Sequence, residues 1–180
     1  LTTDLSKLTD KEKQMIPILI EVAQVMDDIF WEQTWGDKNA LLDTIKDPYT
    51  KQFAAINYGP WDRLDENKPF VAGIGEKLKG ANFYPADMTK EEFENWKDAN
   101  KTSQYTLVVR NADKSLKSVW YHDAYAEKIK KASDLLLKAA DLAEDAGLKK
   151  YLTLRSKALL TDEYYESDMA WMDMKTNTLD

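Results

Sequence analysis

The sequence contains no cysteine and only one histidine among its 180 residues. Because cysteine is absent, disulfide bonds, thiolate nucleophiles and cysteine-ligated zinc sites are all excluded. His122 is the one imidazole that the chain could use as a general base. Any catalytic chemistry carried by the 180 residues therefore has to use carboxylates, hydroxyls, lysines, tyrosines or this single histidine.

A long hydrophobic run and an excess of positive charge are also absent. The longest apolar run, residues 15–20, contains Pro17 and is far shorter than the roughly 20 residues of a membrane-spanning helix. Twenty-five basic residues stand against 32 acidic ones, which gives a net charge of −7. We therefore expect no membrane span and no nucleic-acid partner. Since the sequence begins at Leu1 without a methionine or a leader, its compartment stays open and export is possible.

Glycine and proline are scarce, with six and five residues, while 43% of residues are hydrophobic and 32% are charged. This composition is typical of globular proteins rather than disordered or collagen-like ones. A chain of this length buries about 70% of its unfolded surface on folding, which is enough for one sizeable core. We expect residues 1–180 to form a single helical domain.

Helical periodicity dominates both ends of the chain. A capping-box pattern, Thr9 to Glu12, precedes apolar residues at spacings of three and four, which predicts a helix that Gly36 ends and Pro17 kinks. Further helices are predicted at 38–45, 48–56, 89–99, 123–147 and 148–160, and residues 162–174 are predicted to form a last helix or turn. The helix at 123–147 carries a heptad seam made of Tyr125, Ile129, Ala132, Leu136, Ala139 and Ala143.

Two features interrupt the helices. Residues 105–110 and 116–121 are β-prone runs on either side of a polar turn, which predicts a small β-hairpin. Residues 57–87 show no sustained period and carry several aromatic residues, so we interpret them as a long irregular loop held in place by aromatic anchors. The predicted fold is mainly α, with one small β-hairpin and a long irregular aromatic loop.

Candidate catalytic groups are weak in this sequence. His122 beside Asp123 could act as a general base, but the pair is more simply a helix cap. Asp28 and Glu32 share a helix face, as do many acidic pairs in an acidic chain. Gly73 and Gly75 lack the flanking strand and helix of a phosphate-binding loop. No catalytic or metal-binding residue is assigned on these patterns.

The irregular loop provides the best candidate binding residues. Trp61 lies among polar side chains, and irregular segments of this kind often carry function because rigid elements position them. An equally good interpretation is that Trp61 anchors the loop to the core. The predicted substrate-binding residues are Tyr58, Trp61, Arg63, Asp65 and Asn67.

Three stretches carry a family resemblance. Residues 57–70, 80–93 and 167–180 read NYGPWDRLDENKPF, GANFYPADMTKEEF and SDMAWMDMKTNTLD. In this order they resemble blocks of the N-terminal region of bacterial relatives of dipeptidyl-peptidase III, and residues 5–35 resemble its first helix. The resemblance covers nearly the whole chain.

The resemblance implies a zinc metallopeptidase as the parent protein. In that family a His-Glu-x-x-x-His motif and a later glutamate hold the zinc, and one histidine cannot form this motif. The resemblance therefore implies that this chain is a non-catalytic N-terminal helical lobe. Zinc and the catalytic residues are expected in a C-terminal domain outside this chain, and the partners are that domain and a peptide substrate in a cleft that this lobe helps to form.

Two other functions stay open from the residues alone. One is a stand-alone helical domain that binds a ligand or a protein without enzymatic activity. The other is a hydrolase that uses carboxylates alone, although no spacing in the sequence singles out a pair of acids. A lobe separated from its partner should expose an apolar patch, whereas a stand-alone domain should not.

Overall fold

The computed structural model describes residues 4–179, which contain eight helices and two short antiparallel strand pairs. The strands are β1 (Trp61–Asp62), β2 (Lys68–Pro69), β3 (Thr106–Arg110) and β4 (Leu116–Trp120). The helices are α1 (Asp10–Thr34), α2 (Lys38–Leu42), α3 (Pro48–Asn57), α4 (Lys90–Asn95), α5 (Tyr121–Ala124), α6 (Ala126–Leu142), α7 (Ala146–Thr161) and α8 (Tyr165–Asp173). The predicted mainly helical fold is confirmed, with one strand pair more than the sequence indicated.

The chain forms two compact units. One consists of the chain up to Met26 and the chain from Tyr121 onward, and the other consists of Asp27–Trp120. The boundary falls within α1, so this helix contributes residues to both units.

Helix α1 begins where the capping box predicted. The backbone N–H of Thr9 donates to Oε2 of Glu12 (2.8 Å), and the N–H of Glu12 donates to Oγ1 of Thr9 (3.2 Å). These two bonds satisfy amides that have no partner within the helix. The helix runs through Pro17 without interruption. In the described part of the chain, none of the helices combines the length and the hydrophobicity needed to cross a bilayer.

The core of the Asp27–Trp120 unit lies where the end of α1 meets α2 and α3. Its buried residues are Trp31, Leu41, Leu42, Ile45 and Ala54, and Trp35, Ala55, Tyr58, Phe70 and Val71 pack against them. Helix α2 ends at Leu42 rather than at the predicted Ile45. Asp47, the residue before Pro48, has an extended backbone with ψ 123°, because a proline disfavours helical geometry in the residue before it.

Helix α4 also ends earlier than predicted. The chain becomes extended at Trp96 rather than continuing to residue 99. Lys101 explains the stop, because its Nζ donates to the carbonyl oxygens of Phe93 (2.6 Å), Glu94 (3.2 Å) and Trp96 (2.7 Å). A lysine that binds the last carbonyls of a helix replaces the bonds that further helical turns would make.

The aromatic segment 57–87 is irregular, and specific hydrogen bonds hold it. Strands β1 and β2 pair within it, with Trp61 opposite Pro69. Asn82 binds the end of α1 through its side-chain amide, which donates to the carbonyl of Glu32 (2.7 Å). The N–H of Val108 in β3 donates to the carbonyl of Phe83 (2.9 Å). The interpretation of this segment as an ordered, anchored loop is therefore confirmed.

The unit that contains α6 and α7 departs from the prediction at its helix ends. The helix predicted for residues 123–147 is two helices, α5 and α6, separated at Tyr125. Helix α6 ends at Leu142, and Gly147, which was expected to end it, lies inside the first turn of α7. The reason is a cap that sequence analysis missed: Oδ1 of Asp145 accepts the N–H of Leu148 (2.8 Å).

Helices α6 and α7 pack against each other, and the predicted seam is largely buried. Five of its six residues are buried, namely Tyr125, Ile129, Ala132, Leu136 and Ala139. A buried polar contact joins the two helices, since Oγ of Ser133 and Oγ of Ser156 are 2.8 Å apart. Small residues on both helices let them approach closely.

Candidate functional site

The candidate binding residues lie in and around the turn that joins β1 to β2. Glu66 and Asn67 both have positive φ, at 54° and 59°. The carbonyl of Asp62 accepts N–H bonds from Asp65 (3.2 Å) and Asn67 (2.9 Å), and its Oδ1 accepts the N–H of Leu64 (2.9 Å). A local side-chain acceptor of this kind stabilises a tight polar turn. The turn therefore has a defined conformation.

Tyr58 fixes the entry to this turn. Its hydroxyl donates to Oδ1 of Asp27 (2.6 Å), and its ring packs edge-on against Phe30, with ring centroids 4.7 Å apart. The hydrogen bond to Asp27 raises the pKa of Tyr58 because the neighbouring carboxylate opposes ionisation. Burial works to raise the pKa of Asp27, but the bonds from Tyr58 and Lys38 outweigh it and the net pKa is lowered. Tyr58 thus acts within the fold as an anchor.

Trp61 is the second anchor. Its indole Nε1–H donates to the carbonyl of Gly75 (2.9 Å), and its ring meets Trp35 edge-on at 5.3 Å between centroids. Gly59 has φ +153°, and a Cβ there would stand 3.2 Å from the Trp61 ring. A glycine is needed here because the backbone passes close to the indole in a conformation that other residues rarely adopt.

Arg63, Asp65 and Asn67 are exposed beyond these anchors. The guanidinium of Arg63 lies over the ring of Phe30, 5.4 Å from its centroid. Oδ1 of Asp65 accepts from Nζ of Lys68 (2.7 Å). These three polar side chains are the members of the candidate set that a ligand in solvent could reach.

A groove of about 690 Å³ lies beside the turn. Of the predicted residues, Asn67 lines it, whereas Tyr58, Trp61, Arg63 and Asp65 do not. The structure therefore brings the five residues to one segment but not into one pocket. The groove also presents charged residues that sequence analysis missed, which are Glu66, Lys68, Glu76, Lys77 and Lys79.

Lys77 is the most distinctive of the missed residues. Burial lowers the pKa of its ammonium group, and the nearby charge of Arg63 lowers it further. Its Nζ lies 5.8 Å from the centroid of the Trp61 ring and 3.5 Å from Oδ1 of Asn67. The cluster of charged residues at 76–79 was the signal available in the sequence. It has no periodicity from which the position of Lys77 could be predicted.

The other sequence candidate, His122, has a partner that the sequence did not indicate. Its Nδ1 is 2.7 Å from Oδ2 of Asp162, forty residues further along the chain, whereas Asp123 is 3.7 Å from Nε2. The backbone N–H of His122 also donates to Oδ2 of Asp162 (3.1 Å). The interpretation of His122 and Asp123 as a local helix cap is therefore wrong, because the cap of α5 comes from the end of α7.

The described residues do not form a metal-binding cluster. Among residues 4–179, no three histidine, cysteine, aspartate or glutamate side chains converge closely enough to hold a metal ion. The donor set of this part of the chain does not fit a zinc site of the kind that the family resemblance implies.

Comparisons with known proteins show what this fold is similar to. The chain superimposes on the structure of DPP III from Caldithrix abyssi with a TM-score of 0.90 and 40% sequence identity, over 97% of this chain and 35% of that one. It matches the structure of dipeptidyl-peptidase III from Corallococcus sp. strain EGB with a TM-score of 0.87 and 34% identity, again over 97% and 35%. No family model matches the chain.

A curated relative carries a different name. Nudix hydrolase 3 from Arabidopsis thaliana is 30% identical over 236 aligned positions, which cover 97% of this chain and 31% of the relative. The chain thus spans about a third of the length of each of these proteins. It has the fold of a part of the bacterial dipeptidyl-peptidase III proteins, and the resemblance seen in the sequence is confirmed.

Proposed function

We propose that this chain is a non-catalytic helical lobe of a dipeptidyl-peptidase III-like zinc peptidase and that its β1–β2 turn faces the peptide substrate. The observation that carries the proposal is the match to DPP III from Caldithrix abyssi, which extends over 97% of this chain at 40% identity. Identity at this level over the whole described fold supports a shared role for the lobe.

Zinc and the hydrolytic chemistry are assigned in this proposal to the part of the protein outside the chain. The matched region is 35% of the Caldithrix protein, so about two thirds of that protein remains to supply them. No step of hydrolysis is assigned to residues 4–179, because their donor set does not fit the metal. The lobe instead contributes substrate contacts and electrostatics.

The net charge of the lobe supports this role. At −7, the chain produces a negative potential that attracts the ammonium group at the amino end of a peptide. Within the turn, Asp65 offers a carboxylate to such an amine, Asn67 offers both a donor and an acceptor to a peptide bond, and Arg63 offers a donor to a carbonyl or carboxylate. Tyr58 and Trp61 hold the turn that presents these groups.

A first test is to sequence the source gene beyond codon 180. The proposal expects a His-Glu-x-x-x-His motif and a later glutamate in the same reading frame. A stop codon directly after codon 180 would contradict the peptidase function and would favour the alternative of a ligand-binding domain without enzymatic activity.

The kinetic test uses the full-length, zinc-loaded protein and a chromogenic dipeptidyl arylamide. We expect Arg63→Ala, Asp65→Ala and Asn67→Ala each to raise KM with little change in kcat, because they remove substrate contacts present in both ground and transition states. For Arg63 and Asp65 the lost hydrogen bond involves a charged group and is worth about 1.5–3 kcal/mol, or about tenfold or more in KM. For Asn67 the bond to a peptide group is neutral and is worth about 0.5–1.5 kcal/mol, or about two- to tenfold in KM.

Lys149→Ala is the matched control, because Lys149 is an exposed cationic residue on α7, outside the unit that holds the turn. Circular dichroism spectra should show that every variant is folded. If the enzyme is active and KM is unchanged in all three variants, the proposed role of the turn in substrate binding is contradicted, but the peptidase function is not. A zinc-loaded protein that hydrolyses no dipeptidyl arylamide would contradict the peptidase function itself.

A further inference from the structure

The groove beside the β1–β2 turn contains two lysines that have no carboxylate partner. Lys77 and Lys79 both line it, and among residues 4–179 no carboxylate forms an ion pair with either ammonium group. Lys68, the third lysine of the groove, differs from them, because its Nζ lies 2.7 Å from Oδ1 of Asp65. Lys77 and Lys79 are therefore available to an anion that enters the groove.

The surroundings of Lys77 favour such an anion. Its side chain is partly buried, with Nζ 5.8 Å from the centroid of the Trp61 ring and 3.5 Å from Oδ1 of Asn67. An aromatic face and a neutral amide oxygen replace only part of the solvation that an ammonium group loses on burial. Burial therefore lowers the pKa of Lys77, and the charge of Arg63 lowers it further. A bound anion would oppose both effects.

Two carboxylates limit the kind of anion that the groove can accept. Glu66 and Glu76 also line it, both are exposed, and within the described part of the chain neither forms an ion pair. The lining thus carries three lysines and two glutamates, which is an excess of one positive charge. A single carboxylate fits this balance, whereas the two glutamates would repel a phosphate dianion or a polyphosphate more strongly.

The groove has room for more than an isolated ion. Its volume is about 690 Å³, and Pro69, Leu78 and Phe83 provide apolar wall. The side-chain amide nitrogen of Asn67, which donates to none of the described residues, adds a neutral donor to the two lysines. A carboxylate on a short organic stem matches this combination of cations, a donor and apolar wall.

We propose that this groove binds a single carboxylate group, carried by a small organic acid or by a peptide, with Lys77 and Lys79 as its cationic contacts. The inference goes beyond the proposed function, because it requires binding and no hydrolysis. It is therefore testable in a preparation that cleaves no peptide.

The test measures how fast formaldehyde and cyanoborohydride methylate each lysine of the full-length protein, as followed by mass spectrometry. The probes are sodium acetate, N-acetyl-trialanine and the C-terminal amide of the same peptide, with sodium chloride at equal ionic strength as the reference. Methylation requires the neutral amine, so a carboxylate that binds the ammonium form slows it. We expect acetate and the acid peptide to slow methylation of Lys77 and Lys79 severalfold, and the amide to have no effect.

Two other lysines serve as internal controls. Lys68 lines the same groove but already has the carboxylate of Asp65, so its methylation should change less than that of Lys77. Lys149 is exposed on α7, outside the unit that holds the groove, and its methylation should not change.

Substitutions provide a second measurement, the affinity for N-acetyl-trialanine by calorimetry. Lys77→Gln should weaken binding about tenfold or more, because it removes a charged hydrogen-bond donor, whereas Lys77→Arg should keep most of the affinity. Lys79→Gln tests the second contact independently of whether Lys77→Gln folds. Lys90→Gln is the matched control, because it removes the same charge from α4 of the same unit, where the Lys90 side chain is 82% exposed.

The proposal would be overturned if acetate and the acid peptide slowed Lys77 and Lys79 no more than chloride does. Inorganic phosphate that protects these lysines better than acetate would contradict the assignment to a single carboxylate. An equal loss of affinity in Lys90→Gln would also overturn it, since net charge alone would then explain the binding.

The remaining outcomes identify the source of the carboxylate and separate the two proposals. Equal protection by acetate and by the acid peptide would support a small organic acid, and stronger protection by the peptide would support a peptide carboxylate. Protected lysines in a protein that hydrolyses no dipeptidyl arylamide would support the groove and contradict the peptidase function. Unprotected lysines in an active peptidase would do the reverse.

Discussion

The two compact units are stabilised by different kinds of interaction. In the unit that contains α6 and α7, long helices bury periodic apolar residues, and the buried set runs from Ile129 to Leu159. In the Asp27–Trp120 unit, helices are shorter, and a long irregular segment is held by aromatic contacts and by hydrogen bonds from individual side chains. A periodic interface distributes its stability over many similar contacts, whereas an irregular segment depends on a few residues.

The comparison shows where a binding surface is most easily built. A segment without regular secondary structure presents its polar groups in directions that a helix or sheet does not allow, provided that anchors keep it ordered. Tyr58 and Trp61 are such anchors, and the exposed side chains of the turn lie between them and β2. The helical unit instead exposes apolar side chains on α8, namely Tyr165, Met169 and Met172.

The largest expected effect comes from the anchored unit. Trp31→Ala should lower the free energy of unfolding by about 4 kcal/mol, because this side chain is 2% exposed at the centre of the core cluster. Leu152→Ala on α7, 3% exposed, should cost about 3 kcal/mol. Urea unfolding followed by circular dichroism measures both.

Hydrogen exchange sharpens the comparison between these two variants. Trp31→Ala should speed amide exchange throughout residues 57–75, because the anchors of this segment rest on the cluster, whereas Leu152→Ala should not. Equal exchange in this segment in both variants would show that the irregular segment does not depend on its few anchors.

The second effect tests a polar pair of the helical unit whose members are distant along the chain. The side chain of Asp162 is 0% exposed, with His122 as a partner. His122→Ala would leave a buried carboxylate without this partner and should cost about 3 kcal/mol. Asp123→Ala is the control, because Asp123 is 67% exposed and should change stability little.

The double variant His122→Ala/Asp162→Asn identifies the cause. Because the buried charge is then removed as well, it should be more stable than His122→Ala alone. In His122→Ala the backbone N–H of residue 122 still donates to Asp162, and only the imidazole is lost. If the double variant is the less stable of the two, the cost arises from lost packing rather than from the carboxylate that has lost this side-chain partner.

The smallest effect concerns pH and returns to the irregular unit. Arg110 binds both carboxylate oxygens of Glu92 at 2.8 Å, and its Nε lies 3.0 Å from the carboxylate of Asp87. The hydrogen bond from Arg110 lowers the pKa of Asp87 from 3.8 and that of Glu92 from 4.5. Depressed pKa values in the folded state add stability above the unfolded-state values, and this stability is lost as pH falls through the folded-state values.

Arg110→Ala should therefore lower Tm slightly at pH 7 and should lose less stability than the wild type between pH 5 and pH 3. Thermal unfolding across this pH range measures the difference. Lys131→Ala is the counterpart in the helical unit, because Lys131 lowers the pKa of Glu21 in the same way. Parallel pH profiles for Arg110→Ala and the wild type would show that this cluster does not determine acid stability.

Predictions from the sequence succeeded where the determinants are local. The cap at Thr9 was predictable because donor and acceptor lie three residues apart, and its two hydrogen bonds are present. The buried seam of α6 was predictable because apolar residues recur in the sequence at spacings of three and four. The end of α4 was not predictable from the sequence. It depends on hydrogen bonds from the side chain of Lys101, which follows the helix, and periodicity does not reveal such bonds.

The same distinction between local determinants and contacts made by folding applies to the candidate site. The sequence located the segment that holds Tyr58, Trp61 and Asn67, since aromatic and polar residues are concentrated there without periodicity. It also predicted that aromatic residues anchor this segment, but it showed neither the partners of Tyr58 and Trp61 nor that Lys77 lies beside Asn67 at the groove. These contacts depend on how the segment folds back on itself and on α1.

By itself, the sequence determined the helical class, the start of α1 at its capping box, the hairpin of β3 and β4, and the family resemblance. Each of these depends on residues close together in the chain, where spacing alone sets which groups meet. Only the tertiary structure decided the pairing of His122 with Asp162 and the ion pairs of Arg110 with Asp87 and Glu92. Such contacts join residues distant along the chain, and their formation depends on the free energy of packing the whole unit rather than on local conformational preference.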